Sequence, residues 1–175
     1  MKNNIVLIGM PTSGKSTVGV IAAKILGLDF IDTDLLIQQK EGKLLCEIIE
    51  ESGIGGFLKC EEKAVHSVHD CNALIATGGS VVYSEDAMEH LKQNGIVIYL
   101  KVSKPELLKR LHDVKERGVV LRPGESVEEM YEERTVLYEK YADFIIEEDG
   151  KNLEDTVVEV VRTVREEKIV KIQKG

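Results

Sequence analysis

Short apolar runs alternate with segments of helical periodicity along most of the chain. Strands are predicted at residues 5–8, 29–32, 73–76, 96–100 and 144–146. The runs at 5–8, 73–76 and 96–100 are apolar at every position, which is typical of strands buried on both faces of a parallel sheet. The apolar pattern therefore indicates a sheet that is covered by helices on both sides.

Helices are predicted where apolar residues recur every three or four positions. They fall at residues 16–26, 34–40, 44–51, 57–69, 86–93, 104–112, 127–141 and 153–164. The glycine-rich stretch 52–56 is interpreted as a flexible joint, and residues 165–175 as a charged, loosely ordered tail. Strands that alternate with helices predict an α/β fold, a three-layer α/β/α sandwich with a mainly parallel sheet.

Composition narrows the class of protein. The 175 residues are 43% apolar, with a net charge of −8 and a pI near 5.1. This suits one compact domain, residues 1–164, and an acidic surface argues against a nucleic-acid partner. No apolar run is long enough to cross a bilayer, and a core strand that begins at Ile5 leaves no room for a signal peptide.

The number and spacing of the cysteines indicate a reducing environment. Cys46, Cys60 and Cys71 are odd in number and form no C-x-x-C pair. This disfavours a disulfide framework or a zinc site and favours thiols in a reducing compartment. We expect a cytoplasmic protein, a monomer, with no membrane or nucleic-acid partner.

The segment from Gly9 to Thr17 carries the strongest chemical signal. It reads G-x-x-x-x-G-K-S between a buried strand and a helix, the setting that a phosphate-binding P-loop requires. Successive backbone N–H groups surround a phosphate, and the helix adds its positive N-terminal end. We assign nucleotide binding to Gly9, Thr12, Ser13, Gly14, Lys15, Ser16 and Thr17. Lys15 suits the β- and γ-phosphates, and Ser16 suits Mg²⁺.

Two carboxylates follow the second strand, Asp32 and Asp34. Ligands of open α/β sheets lie at the carboxyl ends of the strands, so both face the same edge as the P-loop. One carboxylate can hold Mg²⁺, and the other can orient or deprotonate an attacking hydroxyl. The alternative interpretation is that Asp34 only caps the following helix.

The ordered set of motifs resembles that of the shikimate kinases. The resemblance covers residues 5–160 and is carried by the P-loop, Asp32-Thr33-Asp34, Phe57 with Glu61, Gly78-Gly79, Arg122-Pro123, Arg134 with Leu137-Tyr138, and Ala142-Asp143. It implies a P-loop NTPase fold of the nucleoside monophosphate kinase type. It also implies ATP, Mg²⁺ and phosphorylation of the 3-hydroxyl of shikimate.

The resemblance assigns further roles by position. Asp32 corresponds to the acid near the metal, and Asp34 to the residue that binds the acceptor hydroxyls. Arg134 corresponds to the arginine that pairs with the acceptor carboxylate. Gly78, Gly79 and Ser80 fall in the loop where the acceptor approaches the backbone, Arg122 in the lid over the phosphates, and Arg110 beside adenine. Acceptor-binding helices are expected at 34–69 and the lid at 113–126.

Several positions depart from the family pattern. Leu58 stands where the family has an arginine that grips the acceptor carboxylate. Losing such a charge-assisted contact costs about 1.5–3 kcal/mol. The neighbouring Lys59 points about 100° away on a helix. Ser80 replaces a third glycine, Glu125 adds charge to the lid, and Thr12 replaces a glycine of the P-loop.

Other functions stay open at this stage. The departures permit a kinase for another hydroxy acid, such as gluconate or homoserine, or a nucleotide-binding protein without turnover. A GTPase is disfavoured because no N-K-x-D motif is present. His66 and His69 are close enough on one helix for a metal, but a surface pair is favoured because no third ligand is evident. Cys60 and Cys71 are expected to serve packing rather than catalysis.

Overall fold

A five-stranded parallel sheet lies at the centre of the structure. The computed structural model describes residues 3–69, 72–111 and 119–174. The strands are β1 (Asn4–Ile8), β2 (Asp29–Asp32), β3 (Ala73–Ala76), β4 (Gly95–Lys101) and β5 (Phe144–Glu147), in the order β2-β3-β1-β4-β5. Every neighbouring pair is parallel, so each connection must cross over through a helix. The predicted fold class is confirmed.

Helices cover both faces of this sheet. They are α1 (Lys15–Leu26), α2 (Thr33–Glu41), α3 (Leu45–His66), α4 (Glu85–Asn94), α5 (Lys104–Leu111), α6 (Val127–Tyr141) and α7 (Leu153–Lys174). Buried residues of α1 and α7 pack on one face, and those of α3, α4, α5 and α6 pack on the other. A single turn of 3₁₀ helix, Val81–Tyr83, follows the glycine-rich segment after β3.

Strand β1 shows why the central runs are apolar throughout. Ile5 and Leu7 pack in the cluster that contains the buried residues of α1 and α7, whereas Val6 and Ile8 pack in the cluster on the opposite face. All four side chains are fully buried. Because neither face of β1 meets water, a polar side chain is accommodated there only when it is hydrogen-bonded, as is Asn4, which donates to the His69 carbonyl and accepts from the Ala73 N–H.

Two predicted boundaries are wrong. The segment 52–56 is not a separate joint, because α3 runs through it with a kink at Gly53, where φ is 65° and ψ is 176°. Ile48 before the kink and Phe57 after it pack in one apolar cluster, which holds the two halves together. Likewise, α7 does not end at 164 but continues to Lys174 through the segment predicted as a loose tail. The Glu, Lys and Arg residues there favour a helix.

Long apolar helices do not occur in the described residues. Within them, no helix combines the length and apolar character that crossing a membrane requires.

Gly9 links β1 to the P-loop at a point with no space for a side chain. Its φ is 151°, and a Cβ there would lie 2.6 Å from the Leu100 carbonyl oxygen. We expect Gly9→Ala to lower the free energy of unfolding by about 2–4 kcal/mol, through strain and overpacking. Urea denaturation measures this loss.

Gly27 provides the matched control. Its φ is also positive, at 68°, but a Cβ there would meet no atom within 4 Å. Gly27→Ala should therefore cost only about 1–2 kcal/mol, the strain of the left-handed conformation alone. Equal losses in the two variants would show that the contact with Leu100 has no effect.

Candidate active site

The carboxyl edge of the sheet brings three segments around one cleft. The P-loop follows β1, Asp34 follows β2, and residues 77–80 follow β3. Together with Arg134 they line a cleft of about 230 Å³, whose remaining wall includes Leu45, Phe57, Val119 and Val120. Residues far apart in the chain therefore meet where an α/β sheet binds its ligands.

The P-loop is organised around the buried side chain of Lys15. Gly14 adopts the left-handed conformation, with φ 79° and ψ 9°, and turns the chain into α1. The Lys15 Nζ donates to the carbonyl oxygens of Gly9 at 2.9 Å and Met10 at 2.7 Å. Burial lowers the pKa of Lys15 to about 8, although Asp34 opposes the shift. A cation is thus held within the loop that the sequence assigned to phosphate.

Thr12 adopts a backbone conformation that is rare for its type. Its φ is 68°, and a β-branched residue with positive φ is an outlier that occurs mainly at functional sites. Its Oγ1 is buried without a hydrogen-bond partner in the described part of the chain. An orphaned hydroxyl beside Lys15, at the N-terminal end of α1, fits a loop that binds a phosphate group.

Asp32, not Asp34, caps helix α2. The Asp32 Oδ1 accepts hydrogen bonds from the backbone N–H groups of Asp34 at 3.0 Å and Leu35 at 3.3 Å. The alternative that Asp34 is only a cap is therefore wrong. The Asp34 side chain lines the cleft, where burial and the neighbouring Asp32 raise its pKa from 3.8 to about 6 while Lys15 opposes the shift. Asp34 is thus a carboxyl of increased basicity opposite the P-loop.

A second carboxyl, Glu61, lies buried behind the glycine-rich segment. Its Oε2 accepts a hydrogen bond from Ser80 Oγ at 2.8 Å, and its Oε1 has no hydrogen-bond partner within the described residues. A Cβ on Gly78 would lie 2.3 Å from Glu61 Oε1 and 2.8 Å from Asp34 Oδ1. Only glycine fits between the two carboxyls. The Ser80 hydroxyl is held by Glu61, which explains how a serine is accommodated in this segment.

Arg134 is fully buried and reaches the cleft from α6. Its Nε donates to Tyr83 Oη at 3.2 Å, and its NH2 donates to the Val120 carbonyl oxygen. Its NH1 lies 3.3 Å from the position of a Cβ on Gly79. Arg134 therefore presents one edge of its guanidinium to the glycine-rich segment.

The other two predicted arginines lie outside the cleft. Arg122 forms a bidentate ion pair with Glu133, with N–O distances of 3.0 and 3.1 Å, and its side chain is 54% exposed. Arg110 pairs with Glu106 and Glu148 and donates to the Thr12 carbonyl oxygen at 3.3 Å, which places it beside the P-loop. Residues 113–118 of the predicted lid lie outside the described residues.

An apolar residue, Leu58, occupies the position where the family has a second arginine. Leu58 is half-buried and Lys59 is exposed, and neither lines the cleft. The wall at this end consists of Phe57 and Leu45. Among the described residues that line the cleft, Arg134 is therefore the only arginine.

The described histidines and cysteines do not line the cleft. His66 pairs with Asp86 at 2.8 Å, and Cys60 packs beside the apolar cluster of Phe57. The described part of the chain contains no group of three or more His, Cys, Asp or Glu arranged to hold a metal ion. Cys71 lies outside the described residues.

A P-loop that faces a carboxylate and an arginine across one cleft defines the class of protein. The fold and the site are those of a P-loop kinase that acts on a small molecule. The sequence profile of shikimate kinases matches residues 11–165. The chain belongs to the shikimate kinase family.

Curated relatives and solved structures agree with this assignment. The chain is 40% identical over 170 residues to a shikimate kinase from Clostridium botulinum, covering 93% of this chain and 96% of the relative. It is 35% identical over 162 residues to one from Thermodesulfovibrio yellowstonii, with 91% and 93% covered. It matches shikimate kinase from Acinetobacter baumannii in complex with shikimate, with a TM-score of 0.85, 31% identity, and 95% and 94% covered.

Burial of Glu61 predicts a pH dependence of stability. Burial raises its pKa from 4.5 to about 8, with Ser80 opposing the shift. The folded state then holds the proton more tightly than the unfolded state. This contribution to stability is complete below pH 4.5 and is lost as the pH rises towards 8. The free energy of unfolding of Glu61→Gln should therefore fall less than that of the native chain over this range.

Urea denaturation at pH 5 and pH 8.5 measures the difference. Glu89→Gln, a change at an exposed glutamate of α4, is the control and should follow the native chain. An equal change in the free energy of unfolding between pH 5 and pH 8.5 in Glu61→Gln and in the native chain would show that Glu61 is ionised in the folded protein throughout this range.

Proposed function

We propose that this chain transfers the γ-phosphate of ATP to the 3-hydroxyl of shikimate. The observation that carries the proposal is the shared cleft of Lys15, Asp34 and Arg134, which belong to three segments. Phosphoryl transfer depends mainly on positioning and on neutralising charge. The cleft supplies a cation for the phosphates, a carboxylate for the attacking hydroxyl and an arginine for the acceptor carboxylate.

The donor half is formed by the P-loop and α1. Backbone N–H groups from Gly9 to Thr17 would surround the phosphates, with the Lys15 ammonium beside them. Ser16 and Asp32 would hold Mg²⁺, which supplies further neutralisation of phosphate charge when bound. The contact between Arg110 and the P-loop supports its place beside the adenine.

The acceptor half is formed by Asp34, Arg134 and the glycine-rich segment. Arg134 would bind the carboxylate of shikimate, and Asp34 would orient the 3-hydroxyl and accept its proton. Because the pKa of Asp34 is raised to about 6, it is a stronger base than an ordinary carboxylate yet is ionised at neutral pH. Gly78 and Gly79 let the backbone pass close to Asp34 and Arg134, the two groups proposed to bind the acceptor.

The lid would complete the site. The mapping of residues 113–126 as a lid implies that Arg122 approaches the phosphates on closure. In that case it must leave Glu133, an exposed pair of the kind that contributes less than about 1 kcal/mol. Closure would exclude water, which competes with the acceptor hydroxyl. The monomeric state and the cytoplasmic location also stay predictions.

One observation favours a second candidate function. With Leu58 in place of an arginine, the described part of the cleft offers the acceptor carboxylate a single guanidinium, that of Arg134. Another hydroxy acid, such as homoserine or gluconate, would be bound through this one guanidinium. A gluconokinase from Sinorhizobium meliloti is similar to this chain in fold alone, with 17% identity and a TM-score of 0.57.

The test is a coupled assay of ADP formation with each candidate acceptor. Shikimate at millimolar concentration should stimulate turnover, and gluconate and homoserine should not. Asp34→Asn should lose about 10²-fold or more of the stimulated rate, because the carboxylate that accepts the proton is removed. Binding of ATP should persist in this variant, since the P-loop is unchanged.

Asp29→Asn is the matched control, at an exposed aspartate at the start of β2. Its rate should equal that of the native chain. Stimulation by gluconate or homoserine in place of shikimate would support the second candidate. ADP formation that no acceptor stimulates would contradict both.

A further inference from the structure

Tyr83 lies between two arginines and has no role in the function proposed above. Its hydroxyl oxygen accepts the hydrogen bond of Arg134 Nε at 3.2 Å, and its ring centroid is 5.1 Å from the Arg134 guanidinium carbon. The Arg122 guanidinium carbon is 5.0 Å from the same centroid. Two cations at this distance from one ring are within the range of cation–π attraction.

The guanidinium of Arg134 must be fixed in orientation to bind a carboxylate. An arginine forms two parallel hydrogen bonds with a carboxylate only when its plane is aligned with it. Two hydrogen bonds orient this plane, the Nε bond to Tyr83 and the NH2 bond to the Val120 carbonyl, and the Tyr138 hydroxyl also interacts with the guanidinium. Val120 belongs to the predicted lid, so its contact changes if the lid moves.

The Tyr83 contact does not depend on the lid. Tyr83 ends the 3₁₀ turn whose other residues, Val81 and Val82, are buried in the main core. Its hydroxyl also lies 3.4 Å from Glu133 Oε2, so one O–H group accepts from Arg134 and donates to Glu133. This pairing determines which way the hydroxyl points and makes it an acceptor for Arg134.

We propose that Tyr83 is a positioning residue for the acceptor, because its hydroxyl holds Arg134 with the guanidinium edge toward the glycine-rich segment. The inference rests on the proposed function, in which Arg134 binds the acceptor carboxylate. It carries particular weight in this chain, since among the described residues that line the cleft no arginine accompanies Arg134. Binding of the carboxylate then depends on the orientation of one side chain.

Tyr83→Phe tests the inference because it keeps the ring and removes only the hydroxyl. The KM for shikimate should rise by about tenfold to a hundredfold, the effect of losing one hydrogen bond to a charged group. The kcat and the KM for ATP should stay within about twofold, since neither depends on the carboxylate contact. Thermal denaturation of the same samples checks that the variant is folded.

Tyr131→Phe is the matched control. Tyr131 lies on α6 and donates its hydroxyl hydrogen bond to the Val102 carbonyl at 3.1 Å, away from the cleft. This variant should keep the native KM for shikimate. An unchanged KM in Tyr83→Phe, or an equal rise in both variants, would overturn the inference.

A spectroscopic measurement separates this inference from the proposed function. In ¹H–¹⁵N spectra of arginine Nε–H groups, the Arg134 signal is assigned by its loss in Arg134→Lys. It should shift and exchange faster with water in Tyr83→Phe but not in Tyr131→Phe. If the native chain fails to phosphorylate shikimate, the proposed function falls while this signal still decides the role of Tyr83. An unchanged signal would overturn that role.

Discussion

The burial of the Lys15 ammonium is the constraint on which the site depends. A buried cation is costly unless polar groups compensate for the lost water. Here the loop itself does so, through the carbonyl oxygens of Gly9 and Met10, and the carboxyl of Asp34 adds an opposite charge. These contacts fix the backbone path from β1 to α1. The backbone path that satisfies the cation is therefore also that of the loop whose sequence matches a phosphate-binding motif.

Two carboxyls lie near this cation and the guanidinium of Arg134, and their protonation differs. Asp34 and Glu61 approach each other across Gly78, where no Cβ fits, and burial raises the pKa of both. One carboxyl lies at the cleft with a pKa near 6, and the other lies beneath it with a pKa near 8. Two neighbouring acids can thus differ in protonation at neutral pH, which leaves Asp34 as the charged partner of Lys15.

The sequence predicts those parts of the fold and site that depend on residues close together in the chain. The P-loop is contiguous, and the apolar runs identify each strand, so the sheet and its ligand edge follow. Contacts between distant residues do not follow from spacing. Ser80 bonds Glu61 nineteen positions away, and Arg122 turns to Glu133 because of where α6 packs. The continuation of α3 across Gly53 likewise depends on the packing of its two halves in one cluster, which overrides the low helix propensity of glycine.

The central claim is that Lys15 is the cation for phosphoryl transfer to an acceptor held by separate residues. Its most direct test is Lys15→Met, which keeps a long side chain and removes the charge. Formation of phosphorylated shikimate, followed by ³¹P NMR, should fall by about 10²-fold or more. Binding of shikimate alone, measured by calorimetry, should stay close to that of the native chain. A variant that retains native turnover would contradict the account.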